Sequence, residues 1–161
     1  MAIESSRVDF IGIPVSDLER ADEFYGETLG LQRNPNSSAR WVEYELGNVT
    51  LALISPEAMG PDFEPRPHMM PIALRVENVE EAKRTLQEAG VEFEGDVIDS
   101  GVCHIAGFSD PDGNALQLHR RYAPYRDGTM PSRRRLALRR PSFMRVLFGS
   151  AGRAGRLLGR S

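Results

Sequence analysis

The sequence has one cysteine, one lysine and one tryptophan among its 161 residues, and it has no long hydrophobic run. The single cysteine, Cys103, excludes an intrachain disulfide and any metal site built from several cysteines. The apolar runs are too short for a transmembrane helix. The first residues, which include Glu4 and Asp9, lack the apolar core of a signal peptide. These features predict a soluble cytoplasmic protein.

Positive charge is scarce over most of the chain and concentrated at its end. Residues 1–125 hold 10 Lys and Arg against 22 Asp and Glu, whereas residues 126–161 hold 10 Arg and a single acid, Asp127. We therefore predict an acidic domain (residues 1–125) and a basic C-terminal tail (residues 126–161) that is flexible or forms a short amphipathic helix. Such a tail folds back on the acidic domain, binds an anionic membrane or contacts nucleic acid.

A strand–helix pattern occurs twice. In the first copy, residues 8–15 alternate as in a strand, and Ser16 with Glu19 forms a predicted capping box. In the second copy, residues 72–76 alternate, and Asn78 is the predicted N-cap. Each helix ends in glycine followed by an apolar residue, and three strand-like segments follow each helix. The pattern predicts an α+β fold in which two βαβββ modules form a partial barrel around a concave cavity.

Two motifs carry a family resemblance. Residues 13–31 (IPVSDLERADEFYGETLGL) and residues 108–118 (FSDPDGNALQL) resemble the opening helix and the closing hairpin of the vicinal oxygen chelate superfamily. That superfamily includes glyoxalase I, extradiol dioxygenases and bleomycin-resistance binding proteins. The resemblance implies a homodimer, and it leaves the chemistry open because one fold hosts many functions.

The chain departs from the metal-binding members of that family at the positions where the resemblance places metal ligands. Phe10, Ala52, Pro71 and Gln117 stand there, and among them only the Gln117 amide has a side-chain donor atom. A neutral amide is a poor substitute for a carboxylate beside a divalent cation. We therefore expect no metal and no cofactor at the family position.

Strand alternation and the hairpins place a set of side chains on or beside the concave face, where they are candidates for contacting a small, partly apolar ligand. The predicted ligand-binding residues are Phe10, Trp41, Tyr44, Met69, Arg75, His104, Gln117 and His119. If the protein is an enzyme, His119 or Glu43 moves a proton and Arg75 holds an anion. A site in which His104, His119 and a carboxylate hold a metal is a further alternative.

Three functions remain open from the sequence. The first is metal-independent binding of a small organic molecule, similar to bleomycin-resistance proteins. The second is catalysis by a glyoxalase-like lyase or isomerase, or by a dioxygenase-related enzyme with a shifted or absent metal site. The third is a scaffold whose basic tail binds anionic lipid or nucleic acid.

Overall fold

The computed structural model describes residue 5 and residues 7–131, and its first half is one βαβββ unit. Strand β1 (Phe10–Pro14) leads into helix α1 (Leu18–Glu23), which continues as a π-helical turn (Phe24–Thr28). Strands β2 (Gln32–Arg33), β3 (Val42–Glu45) and β4 (Thr50–Ile54) complete the module. The sheet order is β1-β4-β3-β2, and β1 runs parallel to β4.

The second half repeats this topology after a linker that contains one helical turn, α2 (Pro56–Met59). Strand β5 (Ile72–Arg75) leads into helix α3 (Val79–Glu88), and strands β6 (Ile98–Asp99), β7 (Cys103–Ser109) and β8 (Ala115–Arg121) follow. The sheet order is β5-β8-β7-β6, and β5 runs parallel to β8. The predicted α+β fold of two βαβββ modules is confirmed.

The helix starts agree with the sequence prediction in one module and differ in the other. In α3, the Asn78 side chain accepts a hydrogen bond from Glu81 N (3.1 Å), as expected for an N-cap. In α1, the cap is Asp17, whose carboxylate accepts from Arg20 N (3.0 Å), so the prediction of Ser16 as the cap was wrong. The Ser16 hydroxyl donates instead to Asp112 of the second module.

One apolar core extends over both modules. It contains residues from the sheet face that meets the helices, such as Ile13, Leu53, Leu74 and Leu118, together with the buried side of α1. No helix among residues 7–131 is long and apolar enough to cross a bilayer. The tail beyond residue 131, with its predicted membrane and nucleic-acid contacts, lies outside the described residues.

A turn of the second module is joined to the first module by hydrogen bonds and an ion pair. Asp110, only 6% exposed, accepts at Oδ2 from the Tyr25 hydroxyl (2.9 Å) and from Asn114 Nδ2 (2.7 Å). Asn114 Nδ2 also donates to Pro14 O (2.8 Å), and Asp112 Oδ1 accepts from Arg20 Nη2 (2.9 Å). The sequence predicted only a turn here, whereas the structure shows a polar junction between the modules. We call Tyr25, Asp110, Asp112 and Asn114 the intermodule latch.

Candidate functional site

Each sheet has one face that points away from the helices, which we call its open face. Alternation from the buried residues assigns Phe10, Gly12, Trp41, Glu43, Glu45 and Ala52 to the first open face. The second open face consists of Ala73, Arg75, Ile105, Gly107, Gln117, His119 and Arg121. The two faces differ in chemistry, because the first combines aromatic and acidic side chains, whereas the second carries two arginines and a histidine together with the Glu94 carboxylate beside Gly107.

An aromatic pair covers the centre of the first open face. Phe10 on β1 and Trp41 beside β3 lie on opposite sides of β4, yet their ring centroids are 6.2 Å apart in an edge-to-face arrangement. The rings reach each other across Ala52, which is fully buried although it lies on the open face. A small side chain at this position leaves room for the rings. Phe10 itself stays 50% exposed, so a flat apolar surface is presented outward.

The indole of Trp41 is held in position by a carboxylate. Its Nε1 donates to Glu43 Oε1 (2.6 Å), and Asn34 Nδ2 donates to Glu45 Oε1 (2.7 Å) and more weakly to Glu43 Oε2 (3.4 Å). A satisfied indole N–H fixes the ring plane, which lowers the entropy lost when a ligand stacks on it. Glu43, predicted as a proton-transfer group, is engaged here as a hydrogen-bond acceptor.

The second open face carries three basic side chains at the ends of β5 and β8. Arg75 is the register partner of His119, and Arg121 follows His119 on the same face two residues later. Partial burial, and then the nearby Arg75 and Arg121 guanidinium groups, lower the pKa of His119. This shift favours the neutral imidazole, which is able to accept a proton or to form a hydrogen bond.

Two predicted ligand-binding residues do not reach either open face. Tyr44 is fully buried against Tyr25, and its hydroxyl donates to the backbone and the side chain of Asp22, so it is a core residue. Gly26 permits this position, because a Cβ there would lie 3.2 Å from the Tyr44 oxygen.

His104 also points away from His119, because its register partner is Arg120 on the opposite face of β8. It lies beside Asp99 (Nε2 to Oδ2 3.7 Å) and the Tyr122 ring. The alternative cluster of His104 and His119 is therefore wrong. Successive side chains of a strand point to opposite faces of the sheet, so a difference of one residue in the strand register places a side chain on the other face.

Other predicted residues lie at or near the open faces. Gln117 occupies the middle of the second face, between Ala73 and Gly107. Met69, in the segment before β5, is 81% exposed. Glu43 and His119, the two predicted proton-transfer residues, lie on different sheets. Which of these side chains contact a ligand stays a prediction.

The sequence analysis missed Glu94. Phe93 pairs with Phe108, which places Glu94 opposite Gly107, and a Cβ on Gly107 would lie 3.1 Å from the Glu94 carboxylate. The sequence analysis expected a strand-like segment directly after the second helix, whereas the first strand after that helix is Ile98–Asp99, so the position of Glu94 was not recognised. A break in the alternation at Gly95 was the available signal.

The residues at the family metal positions do not fit a metal ion. Phe10 and Ala52 belong to the aromatic cluster, and Pro71 has no donor atom in its side chain. Over residue 5 and residues 7–131 there is no group of three or more His, Cys, Asp or Glu side chains that could hold a metal.

Neither of two open depressions in the described structure is lined by the aromatic pair or by the three basic residues of the second open face. One, of about 570 Å³, lies between the π-helical turn, the end of α3 and the β7–β8 turn. The other, of about 480 Å³, lies beside the start of α1. Neither depression can therefore hold a ligand that contacts both the aromatic pair and the basic residues.

Comparison with known proteins identifies the fold family. Residues 7–118 match the family model of the Glyoxalase/Bleomycin resistance protein/Dioxygenase superfamily. The structure of TnmS3, an antibiotic binding protein from Streptomyces sp. CB03234, is similar with 28% identity and a TM-score of 0.62, over 74% of this chain and 99% of that chain. A superfamily member from Sphaerobacter thermophilus DSM 20745 is 30% identical with a TM-score of 0.59, over 71% of this chain and 97% of that chain. A comparison with curated proteins gave no match.

Proposed function

The chain belongs to the Glyoxalase/Bleomycin resistance protein/Dioxygenase superfamily, and from that premise we propose that it binds a small, partly apolar organic molecule without a metal ion. The observation that carries the proposal is the Phe10–Trp41 pair. It presents a fixed, outward-facing aromatic surface at the place where the resemblance puts metal ligands. The similarity to an antibiotic binding protein also supports a binding role.

This aromatic surface favours the binding of a planar ligand in two ways. Stacking on the Trp41 ring removes apolar area from water on both partners. The Glu43 carboxylate already holds the indole, so little side-chain freedom is lost on binding. Binding needs no proton transfer, which agrees with the separation of Glu43 and His119 on different sheets.

Metal-free binding is tested directly because Trp41 is the only tryptophan of the chain. We expect planar aromatic compounds to change its fluorescence and to raise the melting temperature of protein stripped with a chelator. Adding zinc, nickel, manganese or iron is expected to leave the dissociation constant unchanged. Stoichiometric metal in the purified protein, with binding that disappears on chelation, would contradict the proposal.

We further propose that the working unit is a homodimer in which the first open face of one copy meets the second open face of its partner. The first face carries Glu43 and Glu45, whereas the second carries Arg75 and Arg121, so the two surfaces are complementary in charge. A two-fold arrangement repeats this pairing and creates two equivalent pockets. Each pocket then has an aromatic wall and a cationic wall.

Light scattering of the full chain is expected to give about twice the chain mass of 17.9 kDa. Because both copies would contact the ligand, saturating ligand is expected to lower the protein concentration at which the dimer dissociates. A mass equal to one chain at micromolar concentration, with full ligand binding, would refute the dimeric pocket. It would leave binding to a single open face intact.

A further inference from the structure

Arg121, at the end of the second open face, differs in its contacts from several arginines elsewhere in the described structure. Arg20, Arg33 and Arg120, which lie outside this face, each contact a carboxylate, of Asp112, Asp22 and Glu77 respectively. Arg121 contacts no carboxylate among the residues that the structure describes. Its guanidinium instead lies over the Tyr125 ring at 4.9 Å and donates from Nη2 to Pro124 O (3.0 Å).

These contacts orient the Arg121 side chain without neutralising it. A ring face and a carbonyl oxygen hold the guanidinium through its polarity, so the full positive charge remains. Its Nε is shielded from water and has no acceptor within residues 7–131.

His119 lies directly beside this charge. It is two residues from Arg121 on the same face and is the register partner of Arg75. Its ring forms no hydrogen bond to any described residue. The acid nearest in the register, Glu94, lies in the next row, with its carboxylate over Gly107. The row of Arg75, His119 and Arg121, which we call the cationic strip, therefore carries two arginines with His119 between them.

We propose that the second open face binds an anionic group of the ligand, with Arg121 supplying the charge and His119 a hydrogen bond. This inference rests on the proposed binding function and names the ligand class as aromatic organic acids. A carboxylate or phenolate lies on the cationic strip, while the aromatic part of the same molecule lies against Trp41 and Phe10 of the facing surface. Two contacts of different chemistry then fix the orientation of the ligand.

Calorimetric titration with 2-naphthoate and anthracene-9-carboxylate, each compared with its neutral carboxamide, tests the ligand class on the unmodified protein. We expect the carboxylates to bind about tenfold more tightly than the amides, because charge-assisted hydrogen bonds are the stronger ones. The preference is expected to shrink as salt is raised. Equal affinity, or tighter binding of the amides, would overturn the inference and leave the proposed function standing.

The Arg121→Gln variant tests whether Arg121 causes the preference for carboxylates over amides. It is expected to weaken carboxylate binding about tenfold and amide binding less than twofold. Arg120→Gln is the matched control, because Arg120 is adjacent in sequence but lies on the other face beside Glu77. Equal losses in the two variants would refute the assignment. If neither carboxylates nor amides bind the unmodified protein, the proposed function fails together with the inference.

Discussion

An Asp110→Ala variant is expected to lose about 3 to 5 kcal/mol of unfolding free energy, which is the largest effect we expect from a single substitution. Asp110 accepts four hydrogen bonds: from the Tyr25 hydroxyl, from Asn114 Nδ2 and from the backbone N–H groups of Asp112 and Asn114. Tyr25 and Asn114 are fully buried. Without the carboxylate, their donors remain buried and lack this acceptor.

The loss is large because the latch joins two modules that share one core. Asn114 also donates to Pro14 O at the end of β1, so a displaced turn breaks a contact 100 residues away in sequence. Chemical denaturation followed by circular dichroism measures the change. Asp96→Ala is the control, because Asp96 is exposed, and this variant is expected to change stability by less than about 0.5 kcal/mol. Equal stability of the two variants would show that the latch does not hold the modules together.

The Tyr25→Phe variant measures the contribution of the Tyr25 hydroxyl to stability separately from that of the other latch residues. Burial, and then the charge of Asp110, raise the pKa of Tyr25 far above its usual range. A raised folded-state pKa means that the contribution of Tyr25 to stability is complete below the unfolded pKa of about 10 and declines as the pH rises above it. The phenylalanine variant is expected to lose less stability than Asp110→Ala and to show a flatter alkaline profile.

Replacing Trp41 by alanine is expected to weaken binding of planar ligands by about 30-fold, since a buried aromatic contact contributes about 2 kcal/mol. The substitution removes the stacking surface and also the cover over Ala52. Isothermal calorimetry measures the change, because the variant no longer contains a fluorescent indole. Trp41→Phe retains a ring and is expected to keep most of the affinity.

The fold of the Trp41 variant is checked by its melting temperature. Tyr122→Ala is the matched control, because it removes an exposed ring that lies beside His104 and away from the aromatic pair. Its ligand affinity is expected to stay within twofold of the unmodified protein. An unchanged dissociation constant in the Trp41→Ala variant would remove the observation that carries the proposed function.

Much of the first open face was predictable from the sequence, whereas the sheet face on which several polar side chains lie was not. The alternation that buries Ile11 and Ile13 places Phe10 and Gly12 on the other face, as predicted. Tyr44 was predicted to contact the ligand, but it is fully buried. Its position in the core depends on Gly26 of the π-helical turn, which leaves space for the hydroxyl to reach Asp22. The alternation over Val42–Glu45 does place Tyr44 on the face opposite Glu43 and Glu45, and the sequence analysis did not use that local signal.

The sequence by itself determined the two βαβββ modules, the glycine turns that end their helices and which residues (Phe10, Ala52, Pro71 and Gln117) stand where the resemblance places metal ligands. These features depend on periodicity, backbone conformation and donor chemistry, all of which are local. Only the tertiary structure decided that Ser16 binds Asp112 and that Tyr25 binds Asp110 across the two modules. It also decided that His104 and His119 lie on opposite faces. Those outcomes depend on strand register and on contacts between residues far apart in sequence, where a shift of one residue reverses the side that a side chain occupies.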